Sequence, residues 1–476
     1  LTTTRSRLLL SAAVILATSA VVAQSSATGV SAAVPVSGTS PLQAGCGAGP
    51  ADGYTLYPNT EVQPHLAVDP KHPSHLVTAY QQDRWNRYGS NGAVTSVSND
   101  GGASWHRSAA LPPFSACTGG AYDVTTDHWL TITPSGAAIA ASFSLSRDGE
   151  ITAMQVARSG DGGEHWADAV TLQRDTTSKL FNDRPAVTAD PYHPGVVYTV
   201  WDRVEDTSTD SAEHSVQPVY LSKSTDDGRT WSKAKKIYDV PDNTGTIGTV
   251  LTPLADGTLL IGMHYLTATA GATQVIRSTD GGATWSKPTL NAPAPLAVTT
   301  RIPDPDGGSD PIRNASLPLL AAQPGTKVVH ATWQSQAADG TFHVAYARSA
   351  DSGKTWSAPA RVDKTPKGSA AVPAIAVSSD GTAAITYYDF RNNTADSSLP
   401  TDFWAITCKS ACTTAGSWTE KHLEGPFDAR KVPATSSGRM LGDYTGLVST
   451  GKSFVAVYSV ATGNTNNPVD LHSTTF

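Results

Sequence analysis

Acidic, basic and aromatic side chains recur along this chain in short mixed clusters. They are Gln82-Asp83-Arg84-Trp85, Asp127-His128-Trp129, Asn182-Asp183-Arg184, Trp201-Asp202-Arg203, His264-Tyr265, Arg313-Asn314, Tyr387-Tyr388-Asp389-Phe390-Arg391 and Gly442-Asp443-Tyr444. A guanidinium grips a carboxylate through two parallel hydrogen bonds, and an aromatic face stacks on a sugar ring. A carboxyl group beside them can give or take a proton at a glycosidic oxygen. For any single Asp-Arg pair, a structural ion pair between neighbouring strands is the commoner explanation. Taken together, the clusters suit an acidic carbohydrate, provided that a scaffold brings them to one place.

The scaffold is announced by a repeat, Ser-x-Asp-x-Gly-x-x-Trp. It occurs at Ser98-Asp100-Gly102-Trp105, Ser159-Asp161-Gly163-Trp166, Ser224-Asp226-Gly228-Trp231, Ser278-Asp280-Gly282-Trp285 and Ser349-Asp351-Gly353-Trp356. In such an Asp-box the carboxylate accepts backbone N–H groups of a hairpin turn, the glycine supplies a positive φ and the tryptophan covers the turn. A degenerate sixth copy runs from Ser410 to Trp418. The copies lie about 60 residues apart, the length of a four-stranded antiparallel blade with generous loops. Apolar strand pairs begin near Val62, Thr125, Arg184, Thr249, Ala315, Val372 and Tyr444. The expected fold is therefore an all-β propeller of four-stranded blades, seven favoured and six the alternative, with a strand near Tyr54 to Tyr57 completing the last blade. First-strand starts and second-strand ends would share the front face, and the box turns the back face.

Apolar residues make up 39% of the chain and charged residues 16%, with 40 glycines and 31 prolines, which suits many short strands and tight turns rather than helices. A net charge of −7 without a basic block gives no reason to expect nucleic acid or a membrane surface as partner. Arg5 and Arg7 followed by the apolar run Leu8 to Ala23 read as an export signal. Residues 1–33 are thus expected as signal peptide and leader, 34–45 as a flexible linker, and 46–476 as one secreted, extracellular, monomeric domain. The even set Cys46, Cys117, Cys408 and Cys412 suits two disulfides better than a metal site or a nucleophile. Spacing does not decide the pairing; Cys46 with Cys117 and Cys408 with Cys412 is favoured, the second closing a small loop at an expected turn. No cofactor or metal is expected, and the acidic loop Asp304 to Asp310 reads as solvated.

The boxes and the export signal resemble those of the secreted bacterial sialidases and their box-repeat relatives, from about Cys46 onward. That resemblance implies a glycoside hydrolase with an arginine triad, an Asp acid/base, and a Tyr nucleophile activated by a Glu. Carried onto this sequence, it makes Asp83 the acid/base and Tyr444 the nucleophile. Asp443 or Asp183 would be the base for Tyr444, because Gly248 stands where the Glu is expected. The first arginine is replaced in Val62-Gln63-Pro64, His264 stands where the second would follow, and Arg301-Ile302-Pro303 reads as a loop. Arg84, Asp183, Arg184, Arg203, His264, Arg313, Tyr388, Asp389 and Arg391 form the expected substrate-binding set. Two other functions fit the same residues. One is a uronic-acid lyase with His264 or Tyr444 taking the proton; the other is a non-catalytic propeller that binds a glycan or a protein.

Overall fold

A computed structural model of the chain describes residues 29–47, 49, 53–208, 214–296, 299–303, 311–315, 317–394 and 398–476. The expected export signal, Arg5 to Ala23, and the acidic loop Asp304 to Asp310 lie outside the described residues. Each intact box closes the third strand of an antiparallel meander. In the second repeat the strands are Val124–Ile132, Ala138–Leu145, Thr152–Ser159 and Val170–Asp175, and Ser159 opens the box turn. The box geometry follows its residue types. Ser159 Oγ donates to Asp161 at 2.7 Å and accepts from Gly163 N at 2.8 Å, while Asp161 accepts from His165 N at 3.0 Å. Trp166 folds back under the preceding repeat, where its indole donates to Thr95 Oγ1 at 3.1 Å.

The expectation of seven separate four-stranded blades is not what the hydrogen bonding gives. Among the described residues the sheets are one of twelve strands, one of nine and three of four, and none closes on itself. The cause lies at the repeat boundaries, where strands reach beyond their own meander and pair with the next. Ser90 pairs with Thr125, Val216 runs parallel to Thr244, and Thr60 in the long strand Leu56–Val68 runs parallel to Val469. The fold is therefore all-β with large mixed sheets rather than a propeller of isolated blades.

Two local expectations also change. Tyr57 belongs to the longer strand Leu56–Val68, which joins the closing pair Phe454–Asn464 and Asn467–Thr475 at Thr60, and Val34–Pro35, from the segment read as a linker, pairs with the same closing strand. Arg301 lies in the strand Thr299–Ile302, opposite Arg313, rather than in a loop.

The first strands of successive repeats lie side by side in chain order, and Gly446–Ser449 of the last lies against Leu56–Val68 of the first. Starts of first strands and ends of second strands thereby meet at one end of the molecule. The box turns lie at the other, since Ser98 pairs with Leu76 at the start of its second strand. Apolar clusters fill the spaces between repeats, as where Ala67, Val77, Ala79 and Trp166 pack with Leu130 and Ala140. Disulfides join Cys46 to Cys117 and Cys408 to Cys412. Among the described residues, no helix is long and apolar enough to cross a membrane.

Candidate active site

Five first strands slip register at the same point, and the slip aims side chains. The bulges fall between Val62 and His65, Thr126 and Trp129, Asp183 and Ala186, Ile247 and Val250, and Ala371 and Ala374. The first bulge residue is left-handed in every case: Gln63 (φ 56°), Asp127 (52°), Arg184 (48°), Gly248 (69°) and Val372 (52°). Non-glycine residues in this region are strained, most of all a β-branched one, and bulges with such strain gather where a strand must re-aim a side chain.

Three of these residues, Gln63, Asp127 and Arg184, line one cavity of about 360 Å³, joined by Asp183, Arg84 from the end of Leu76–Trp85, and Arg313 from Ile312–Ala315. Tyr88, Phe143 and Phe181 supply apolar wall. Asp443 braces the site. It accepts from Arg313 Nε at 2.8 Å and Nη2 at 2.5 Å, and from Arg184 Nη2 at 2.8 Å. Burial would raise its pKa, but the two guanidinium groups overcome that and hold it well below the carboxylate range.

Arg184 donates nothing from Nε or Nη1 among the described residues, and Arg84 donates to Gln81 Oε1 at 3.0 Å while its Nε has no partner. These are buried donors without acceptors, in guanidinium groups that stay charged. Burial, aided by the charge of Arg313, lowers Arg84 only to about 10. The other two carboxyls behave oppositely to Asp443. Burial raises Asp183 to about 7 against the pull of Arg184, with the charges of Asp127 and Asp443 adding to the rise, and burial also raises Asp127. The cavity thus combines unsatisfied cationic donors with Asp183, inclined to hold its proton near neutral pH, and Asp127, made more basic by burial.

The expected site residues divide. Arg84, Asp183, Arg184 and Arg313 come together in the cavity, and Asp443 anchors two of them. Tyr444 lines a small adjoining cavity with Asp127, Arg184 and Leu317; its hydroxyl donates to the carbonyl of His128 at 2.9 Å, and burial pushes its pKa well up. Asp83 has φ 60° and turns to the N-terminal side, accepting from Asn59 N and Ser40 Oγ at 2.9 Å each. Arg203 pairs with Asp175 at 2.6 Å, and Arg391 pairs with Asp389 and Glu420 and stacks on Trp404. Tyr388 bonds Ser459, and His264 is buried on Leu259–Leu266; none of these lines the cavity. Asp127 was not among the expected site residues, although it stands where Asp183-Arg184 stands in the next repeat. At Gly248, where the Glu was expected, a Cβ would sit 2.4 Å from Leu317 Cδ2, so a side chain there would require Leu317 to move.

Comparison with known proteins agrees with this scaffold. An alpha-L-arabinofuranosidase of Fusarium graminearum, solved with an iminosugar inhibitor, is 11% identical with a TM-score of 0.50, over 94% of this chain and 98% of that one. A Hadza microbial sialidase is 15% identical with a TM-score of 0.47, over 84% and 74%. A protein of unknown function from Dyadobacter fermentans is 14% identical with a TM-score of 0.46, over 89% and 99%. No curated protein matches the sequence. The fold resembles that of the Fusarium graminearum arabinofuranosidase. Residues 136–302, which hold the second, third and fourth boxes, match the family model of the BNR repeat-like domain.

Proposed function

We propose that this protein is a glycoside hydrolase acting on a glycan that carries an acidic sugar, and that the cavity of Arg84, Arg184 and Arg313 is its active site. One observation carries the reading: the buried, unsatisfied N–H groups of Arg84 and Arg184 share a cavity with two carboxyls raised by burial. A carboxylate substituent on the sugar would satisfy those donors with charge-assisted hydrogen bonds. Asp183, protonated near neutral pH, gives its proton to the departing glycosidic oxygen as the bond to the anomeric carbon breaks. Asp127, whose raised pKa makes its ionised form a stronger base, takes a proton from the water whose oxygen bonds to that carbon. Tyr444 serves as a positioning residue, since its hydrogen bond holds the bulge that aims Asp127. The two disulfides and the basic, apolar N-terminal sequence fit a protein exported to an oxidising compartment.

Fluorogenic glycosides of sialic acid, of uronic acids and of neutral sugars test this reading. Turnover confined to acidic glycosides, and abolished in Arg84→Met, is expected. Turnover of neutral glycosides alone would contradict it. A glycan-binding role without turnover is favoured by one observation, that Asp443 already occupies Arg184 and Arg313. Saturable binding of acidic glycans with no released sugar would decide for that role.

A further inference from the structure

The box end of the molecule carries an arginine, Arg348, whose guanidinium has no hydrogen-bond acceptor among the described residues. In each of four repeats a cation precedes the box serine, and in two of them it donates to the box turn of the next repeat. Arg158 Nε donates to the carbonyl of Asp227 at 2.8 Å, and Arg277 Nε to the carbonyl of Ser352 at 3.1 Å. Lys223 instead lies over the Tyr198 ring, 5.1 Å from its centroid. The fourth cation, Arg348, faces the sixth, degenerate box.

There the disulfide loop replaces the box residue by residue. Cys408 stands for the serine and Cys412 for the glycine, so a covalent bond takes the place of the serine-to-glycine hydrogen bond. Ala411 keeps the left-handed φ of 53° found at Asp227 (67°) and Ser352 (60°). Trp418 still donates to the carbonyl of Cys412 at 2.9 Å, as Trp231 does to that of Gly228 at 3.2 Å. What is lost is the box carboxylate, replaced by Ser410. The Arg348 guanidinium has no hydrogen-bond acceptor among the described residues, and it lines a cavity of about 370 Å³ with His330, Lys409 and the loop Ser410 to Thr413.

His330 breaks the pattern independently. It pairs with Arg348 in register; the same register position is Val77, Ile139 or Leu260 in three other repeats, each set against a box glycine of the next repeat. Its exposure is 2%, and Nε2 has no partner. Its Nδ1 lies 2.7 Å from the Tyr346 hydroxyl. Burial keeps that phenol protonated and lowers His330 to about 4, so the ring is neutral near pH 7. The phenol has no other acceptor among the described residues, so it donates to Nδ1 and leaves Nε2–H as a buried donor. Asp380 also lines the cavity, but its carboxylate is paired with Lys409 at 2.8 Å, and Arg348 has no carboxylate partner among the described residues.

We infer that the cavity beside the Cys408–Cys412 loop is a second binding site, for a single oxyanion such as a carboxylate or sulfate group, held by Arg348 and the Nε2–H of His330. The site stands apart from the Arg84 cavity and does not depend on the function proposed for it. Its test is the 15N resonance of His330 Nε2 in the full chain, titrated with sodium sulfate, sodium glucuronate and a uronic-acid oligosaccharide.

A saturable shift is expected, weakened about tenfold or more in Arg348→Gln and unchanged in Asp183→Asn. His330→Leu restores the residue type that Leu260 holds in the fourth repeat, so it should fold and lose binding by calorimetry. Sulfate and glucuronate binding equally would identify a free ion as the ligand, and tighter binding of the oligosaccharide a glycan. No saturable shift, or one untouched by Arg348→Gln, would mean that water alone fills the cavity and would overturn the inference.

Discussion

Arg313 clamps Asp443 with two parallel hydrogen bonds, Nε to Oδ1 at 2.8 Å and Nη2 to Oδ2 at 2.5 Å, and Arg184 shares the second oxygen. The Asp443 side chain is 1% exposed, so the clamp works in a medium where an unpaired charge is costly. Asp443→Asn leaves two buried arginines without their counter-ion and should destabilise the fold by about 3 kcal/mol. The pH dependence has a definite sign. The folded-state pKa of Asp443 lies below its unfolded value, so its contribution is complete above about pH 4 and is lost as pH falls further. Denaturant unfolding between pH 2 and 7 should therefore show a smaller acid-side loss in Asp443→Asn than in the wild type.

Tyr444 distinguishes positioning from nucleophilic attack. Its hydroxyl is spent on the carbonyl of His128, inside the bulge that starts at Asp127. Tyr444→Phe removes one buried hydrogen bond and should lower kcat about tenfold, with the wild-type pH profile kept. A nucleophile's loss would cost about a thousandfold or more, and steady-state kinetics on the same glycoside separates the two.

The sequence made some of these relationships readable and hid others for physical reasons. The boxes were legible because each residue type has one task in a turn, whereas the sixth copy, read from Ser410, starts two residues earlier at Cys408, where a disulfide replaces the serine's hydrogen bond. Pairing between repeats was hidden, since Thr60 against Val469 or Ser90 against Thr125 leaves no pattern in residue type. The site was half legible. Asp83-Arg84 and Asp183-Arg184 look alike as dipeptides, yet Asp83 turns away to Ser40 and Asn59 whereas Asp183 faces the cavity. The left-handed backbone that aims Asp127 and Arg184 falls on non-glycine residues, for which the sequence carries no conformational signal.

The box turns should matter for stability alone. Trp166 is 9% exposed and packs at the end of the molecule away from the arginines. Trp166→Ala should cost about 3 to 5 kcal/mol by chemical denaturation, with activity per folded molecule unchanged. A loss of turnover at equal folded fraction would place the boxes in the chemistry.

Asp183 is the proton donor on which the proposed chemistry depends. Burial raises its folded-state pKa from 3.8 to about 7, so the protonated form needed for catalysis persists to neutral pH and is lost above it. The same shift makes the native state bind the extra proton, so Asp183 lowers stability as pH rises from about 4 to 7. The decisive measurement is the pH profile of kcat for wild type and Asp183→Asn, on an acidic glycoside with a poor leaving group and on its activated aryl counterpart. The account predicts an alkaline limb near pH 7 in the wild type. In the variant, turnover of the poor leaving group should fall about a hundredfold or more and the limb should disappear, while the activated substrate is largely spared. An unchanged profile in Asp183→Asn, or an equal loss on both substrates, would contradict it.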